Sequence, residues 1–159
     1  MIAVRRVLPL LKLTLVALFG VLVLLQTMSL PGQFAHMAAE SPEQAHLRWP
    51  LTAVSVFLVL CVEVVVVCTW KLLTLVRSDR IFRPVSLVWV DVIIGAIATG
   101  WTVFLALFLY VGFRATDPGL PLLMFLALTG GAVLGLVMVV MRALLQQATA
   151  LRTDLDAVI

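Results

Sequence analysis

Two carboxylic acids lie inside long apolar runs of this sequence, and their side chains are the ones that most need a chemical role. Glu63 is at the centre of the second long apolar run, and Asp91 is close to the start of the third. Acids and bases within a membrane span are rare, and they often mark ion pathways or proton relays. The same argument adds two lysines within the apolar runs as candidates, Lys12 and Lys71.

Asp91 has candidate partners of opposite charge. It lies ~9 Å from the start of its apolar run, counting about 1.5 Å for each of its residues. Lys12 and Lys71 lie at a similar depth in the first and second runs. Because polar groups within a membrane protein pair with one another and face inward, we expect an ion pair between Asp91 and Lys12 or Lys71. A structural role is favoured over a role in transport.

Glu63 has no cation on its helical face. A charged side chain at the centre of a membrane helix costs roughly 2.5–3.5 kcal/mol on insertion scales. We therefore expect a neutral carboxyl group with a structural role, hydrogen-bonded to Thr99 or Thr129. Contact with a partner protein and coupling to an ion remain as alternatives.

The apolar runs that carry these residues indicate the fold. Hydrophobic residues make up 64% of the chain and charged residues 12%, and the mean hydropathy is +1.20. Each run is long enough to cross a bilayer core, and lipid forces such a segment to bond its own backbone groups as a helix. The sequence predicts an all-α, integral membrane four-helix bundle in a single domain over residues 1–159. The helices are expected at about 7–28, 51–75, 85–111 and 120–145, followed by a short tail at 146–159.

The distribution of cations predicts the orientation. Lysine and arginine concentrate in the cytoplasmic loops of membrane proteins. Only Arg48 and Arg114, of the 11 cations, fall on one side of the predicted helices. The other side holds Arg5, Arg6, Lys12, Lys71, Arg77, Arg80, Arg83, Arg142 and Arg152. We therefore expect both termini in the cytoplasm and the protein in the cell (inner or plasma) membrane.

The predicted outer loop between the first two helices contains possible metal ligands. His36, Glu40, Glu43 and His46 occur there, but without an H-E-x-x-H pattern or a cysteine. A solvated loop is therefore favoured over a metal site, and neither a metal nor a cofactor is expected. Pro31 and Gly32 are expected to close the first helix.

The end of the chain and the fourth helix carry two patterns typical of helix association. Steps of four and three place apolar residues along one stripe of the tail, a spacing typical of coiled coils: Leu144, Ala148, Leu151, Leu155 and Val158. Two heptads are too few for a firm assignment, and a frayed amphipathic helix tail is favoured over a dimerisation segment. Gly131 and Gly135 form a G-x-x-x-G pattern, which favours close helix packing within the bundle, with homodimerisation as the alternative.

The end of the second helix and the loop after it resemble a known family. Residues 72–82 combine a leucine-rich helix end, a short cationic turn and an apolar residue followed by Phe82. This segment is similar to the bacterial domain-of-unknown-function 2975 family, which consists of small four-helix membrane proteins. Family members often have Ser or Thr after the phenylalanine, where this chain has Arg83 and Pro84. The resemblance implies no established activity and no catalytic residue.

These observations favour a membrane protein without enzyme activity that serves as a structural, sensory or regulatory partner. The expected contacts are the lipid bilayer and either a membrane protein partner or further copies of the chain. The family resemblance adds a helix-turn-helix regulator as a partner, and no direct contact with nucleic acid is expected. The alternative is a small proton- or ion-coupled transporter, or a transporter subunit, that uses Glu63 and Asp91.

The predicted orientation can be tested by cysteine labelling. In a background without Cys61 and Cys68, single cysteines at Gln33 and Ser78 should label from opposite sides of the membrane, because the cation asymmetry places them on different sides. An impermeant maleimide applied to intact cells should modify the cysteine at position 33 only. Labelling at position 78 but not at position 33 would reverse the orientation.

Overall fold

A computed structural model describes residues 2–159, except for the side chains of residues 2–5, Gln44 and Ala45. Arg5, one of the cations used to predict the orientation, therefore lies outside the described side chains. The helical elements are α1 (Ile2–Leu24), a π-helix (Leu25–Ser29), α2 (Leu30–Glu40), a 3₁₀-helix (Pro42–Leu47), α3 (Arg48–Arg77), α4 (Pro84–Gly112) and α5 (Gly119–Val158).

The helices confirm the all-α, four-helix prediction. Four helical segments are long and apolar enough to cross a membrane: Arg6–Glu40, Arg48–Arg77, Pro84–Gly112 and Gly119–Val158. Each contains one of the four apolar runs, and no β-strand occurs between residues 2 and 159. The chain is a multi-pass membrane protein in which the backbone groups of each span are bonded within its own helix.

The chain consists of two compact units. The first ends at Val66, within α3, and the second runs from Val67 to Ile159. The sequence prediction of a single membrane domain stays a prediction.

In the first unit, the helix continues past the proline that was expected to close it. Pro31 has no N–H group, and its ring would clash with the carbonyl of the residue four positions earlier in a regular α-helix. The five-residue π-helix Leu25–Ser29 precedes it, and the N–H of Leu30 donates to the carbonyl of Leu25. Such a widened turn accommodates a break in the regular bonding pattern. The expected solvated loop after Met28 is thus largely helical.

A polar side chain in the π-helix connects it to α3. The side-chain amide of Gln26 donates to the backbone carbonyl of Val56, with 3.2 Å between nitrogen and oxygen. An amide within an apolar run needs such a partner because the hydrocarbon core offers none. This contact was not predicted, although the presence of an amide inside the first apolar run is a signal that could have indicated it.

In the second unit, α4 and α5 form an antiparallel pair. The indole N–H of Trp101 donates to the carbonyl of Leu128 at 2.9 Å. A Cβ atom at Gly131 would lie 3.2 Å from Cδ1 of Trp101, and one at Gly135 would lie 3.4 Å from Cγ2 of Ile97. Within this chain, the G-x-x-x-G pattern therefore serves the packing of α5 against α4, which agrees with the use that the sequence favoured.

The last helix is longer than the sequence indicated. α5 contains 40 residues and continues as an α-helix to Val158. Residues 146–158, for which the sequence predicted an amphipathic helix tail, are a continuation of α5. At about 1.5 Å per residue, α5 is ~60 Å long, about twice the thickness of a bilayer core.

Adjacent glycines in α5 allow a matched test of this packing. Gly131→Ala should lower Tm in detergent, because the new methyl group would press on Trp101, which its hydrogen bond holds in place. Gly130 has no heavy atom within 4 Å of the same position. Gly130→Ala should therefore keep or raise Tm, since alanine favours a helix by about 1 kcal/mol over glycine. Equal Tm values for the two variants would contradict the close approach of α5 to Trp101.

Candidate functional site

The most prominent polar contact in the spans joins Asp91 of α4 to Arg142 of α5. Nε of Arg142 donates to Oδ1 of Asp91, and NH2 of the same guanidinium lies 3.2 Å from Oδ2. Two parallel N–H···O bonds form a bidentate pair, the strongest arrangement for an arginine and a carboxylate. NH1 of Arg142 also donates to the side-chain oxygen of Gln146 at 3.3 Å.

This geometry corrects the predicted partner of Asp91. The predicted partners were Lys12 and Lys71, whereas the contacts described for the Asp91 carboxylate come from Arg142. Lys12 is half-buried on α1, and Lys71 is exposed on α3. Depth along the apolar runs was a correct guide, because Arg142 is also near the end of its run. Depth alone could not identify the helix that packs beside α4.

The pair lies near one edge of the membrane. The 29 residues of α4 span ~43 Å, and a core of about 30 Å centred on them would begin ~7 Å from Pro84. Asp91 is ~10 Å from Pro84 by the same measure. The carboxylate thus lies just inside the core, with its side chain 49% exposed and that of Arg142 38% exposed. Arg142 can keep its charge close to the headgroups at this depth.

Glu63 differs from Asp91 because one of its oxygens has no partner. Oε1 of Glu63 is buried and accepts no hydrogen bond from the described residues. The predicted donors are occupied elsewhere: the hydroxyl of Thr99 donates to the carbonyl of Gly95, and that of Thr129 donates to the carbonyl of Phe125. The hydrogen bond from Thr99 or Thr129 to Glu63 stays a prediction. A buried polar atom without a partner costs about 1–3 kcal/mol.

α3 ends in a well-defined turn at residues 78–83. Asp79 has a φ of +53°, the left-handed conformation that Asp tolerates better than most residues. The N–H of Arg80 donates to the carbonyl of Leu75, and the N–H of Asp79 donates to that of Val76. These two bonds form a Schellman motif, which satisfies the free carbonyls at a helix end.

Arg152 of α5 holds this turn in place. NH2 of Arg152 lies 3.3 Å from Oδ2 of Asp79, and its guanidinium lies 5.5 Å from the centroid of the Phe82 ring. Ser86 is fully buried, and its hydroxyl contacts the carbonyl oxygens of Ile81 and Arg83. We call residues 78–83 together with residues 143–158 of α5 the loop end of the second unit.

The histidines of the first unit do not converge. Nε2 of His36 lies 3.3 Å from Oε1 of Glu40, four residues later on α2. Nδ1 of His46 is 3.1 Å from the backbone oxygen of Glu43. Among the described residues, no group of three His, Cys, Asp or Glu side chains could hold a metal ion.

A comparison with known protein families identifies the family of this chain. The family model for proteins of unknown function, DUF2975, matches residues 32–159. The chain belongs to the DUF2975 family. The match includes α3, α4, α5 and most of α2, so it covers both Glu63 and the Asp91–Arg142 pair. No curated protein and no solved structure matches the chain.

Membership of DUF2975 confirms the resemblance on which the sequence analysis relied. The segment that carried the resemblance forms the end of α3 and the turn that Arg152 holds. In this DUF2975 protein, Arg83 is the N-cap of α4, with no hydrogen bond from its side chain, and Pro84 is at the first position of the helix. Proline suits that position, where a missing N–H leaves no bond unmade.

A double-mutant cycle tests the Asp91–Arg142 pair. Asp91→Asn and Arg142→Gln should each lower the unfolding temperature, because each variant leaves one charged group without its partner. The double variant should lose less than the sum of the two, because neither charge is then left without its partner. Thermal unfolding in nanodiscs measures all three variants. Asp91→Asn combined with Lys71→Gln is the control and should be additive; coupling there instead of at Arg142 would reject the pair.

Proposed function

We propose that this DUF2975 protein is a non-enzymatic membrane protein with a sensory or regulatory role, which it performs through a partner protein bound at the loop end. We also propose that the loop end faces the cytoplasm and that the membrane is the bacterial cell membrane. The cation asymmetry of the sequence supports this orientation, because five of the arginines on the predicted inner side belong to or border the loop end: Arg77, Arg80, Arg83, Arg142 and Arg152.

The observation that carries the proposal is the bare apolar stripe on the last part of α5. Leu144, Leu151, Leu155 and Val158 are each more than half exposed, and their steps of seven, four and three residues place them along one stripe of the helix. A different face of the same segment is anchored, since Thr149 is buried and Arg152 contacts Asp79. Exposed apolar residues along one stripe of an anchored helix are typical of a protein-binding surface.

The nature of the site also supports a role without catalysis. An enzyme needs a nucleophile and a base, or a set of metal ligands, at one place. The carboxylate of Asp91 is bound by Arg142. The charged groups of the second unit instead join its helices and its turn.

The partner is inferred to be a protein, and the family resemblance suggests a helix-turn-helix regulator. Such a protein would bind the stripe with its own apolar face, and the nucleic acid would contact only the regulator. A second copy of this chain could cover the same stripe, so the experiment must distinguish the two.

Substitution within the stripe tests the proposal. Leu151→Ser combined with Leu155→Ser should lower the amount of one co-purifying protein at least about tenfold in mild detergent, because each leucine contributes roughly 1.5–3 kcal/mol when buried. Asp154→Ser combined with Asp156→Ser, in the same segment, is the matched control and should retain that protein. Unfolding temperature and oligomer mass are measured in parallel. An unchanged set of bound proteins would contradict the proposal, and a loss of oligomer mass alone would identify a second copy as the occupant.

Glu63 supports a second candidate function, a proton- or ion-coupled transporter or transporter subunit. Its buried Oε1 has no hydrogen-bond partner, and an intramembrane carboxyl group in this condition is suited to bind and release a proton. In proteoliposomes, this candidate requires a pH-dependent ion flux that Glu63→Gln abolishes without loss of insertion. If the wild type showed no ion flux, the transporter function would be excluded.

A further inference from the structure

The first unit contains a cavity of about 150 Å³ between the end of α2, the 3₁₀-helix and the start of α3. Its lining is mixed, and five of the eight lining residues are apolar, among them Phe34, Met37, Leu47 and Leu51. Two residues of opposite charge, Glu40 and Arg48, also line it. A cavity that combines apolar residues with a few charged groups is typical of a ligand site.

The two charged residues of the cavity do not neutralise each other. Glu40 pairs with His36 on its own helix, and within the described residues Arg48 forms no ion pair with a carboxylate. The guanidinium of Arg48 instead lies 5.5 Å from the centroid of the Trp49 ring. An arginine fork without an acidic partner is suited to bind a phosphate group. Glu40, as an anion in the same lining, is suited to bind an ammonium group.

The position of the cavity along α3 is at the membrane surface. Leu51 is the first residue of the apolar run. Arg48 and Trp49 come just before it, separated from it by Pro50 alone. Trp49 is 74% exposed. Tryptophan and arginine at the end of a span occupy the level of the lipid headgroups. The cavity is thus within reach of the headgroup and the first atoms of an acyl chain.

The volume of the cavity indicates the kind of ligand. Sites for small soluble ligands have about 300–1,000 Å³, whereas this cavity has about 150 Å³. It can enclose a phosphate and a few neighbouring atoms, so most of a larger ligand must lie outside. A phospholipid meets this condition because its acyl chains remain in the bilayer.

We propose that the cavity binds the headgroup of a zwitterionic phospholipid of the ethanolamine type. Arg48 holds the phosphate, Glu40 receives the ammonium group, and the apolar lining contacts the glycerol and the first carbons of a chain. This site belongs to the first unit and is independent of the partner surface proposed for the loop end.

Native mass spectrometry of the full chain, released from nanodiscs of equal parts phosphatidylethanolamine and phosphatidylglycerol, tests this proposal. The wild type should retain phosphatidylethanolamine in preference to phosphatidylglycerol. Arg48→Gln should lower its retention about tenfold, the effect of losing one charge-assisted hydrogen bond. Glu40→Gln should remove the preference for ethanolamine over glycerol. Ala38→Leu, which adds bulk at another lining residue, should lower retention of both lipids without a change of charge.

Arg114→Gln is the matched control. Arg114 also contacts an aromatic ring, with its guanidinium 4.6 Å from the centroid of Tyr110, but it does not line the cavity. This variant should retain lipid as the wild type does, and circular dichroism should show the same helix content for all variants. Equal retention by the Arg48 and Arg114 variants would overturn the proposal. Stronger retention of phosphatidylglycerol, or displacement of lipid by millimolar inorganic phosphate, would also overturn it.

Discussion

The hydrocarbon core of a bilayer offers no hydrogen-bond partner, and the structure depends on this constraint. Every span is helical, so its backbone groups bond one another. Polar side chains within the spans follow the same rule. Threonine hydroxyls donate to the carbonyl four residues earlier in their own helix, the Gln26 amide bonds to Val56, and the Trp101 indole bonds to Leu128. Glu63, with one buried oxygen left without a partner, departs from this rule and is the residue on which the transporter alternative depends.

Two ion pairs fix how α5 is aligned along α4 and the turn before it. Apolar packing alone would permit one helix to slide along the other. Asp91–Arg142 and Asp79–Arg152 are at successive heights along the antiparallel pair, and the glycine contacts with Trp101 and Ile97 follow the same alignment toward the turn between the helices. A shift of α5 by one turn would separate both ion pairs and move the side chains of α5 away from the positions where glycine permits close approach. The two kinds of contact therefore select the same register.

The two proposed binding surfaces use different chemistry because they are in different surroundings. The stripe on the last part of α5 continues beyond the length that a bilayer core can cover, and it presents leucines on one face while Arg152 anchors another. The cavity in the first unit is at the level of Trp49, where a cation and an anion are available without mutual pairing. A protein partner suits the first surface, and a lipid headgroup suits the second.

Sequence alone determined the number, helical nature and approximate bounds of the spans, because run length and hydropathy are local properties that lipid converts directly into helices. It also placed Asp91 at a depth where cations occur, and residues 72–82 carried the pattern that resembles the family. Only the tertiary structure decided that Arg142 binds Asp91, that the helix passes Pro31 through a π-turn, and that α5 continues to Val158. The first feature depends on which helices are neighbours, and the second depends on how a local clash is relieved. The third accompanies the contact between Arg152 and the turn after α3. The hydropathy of single residues describes none of these contacts.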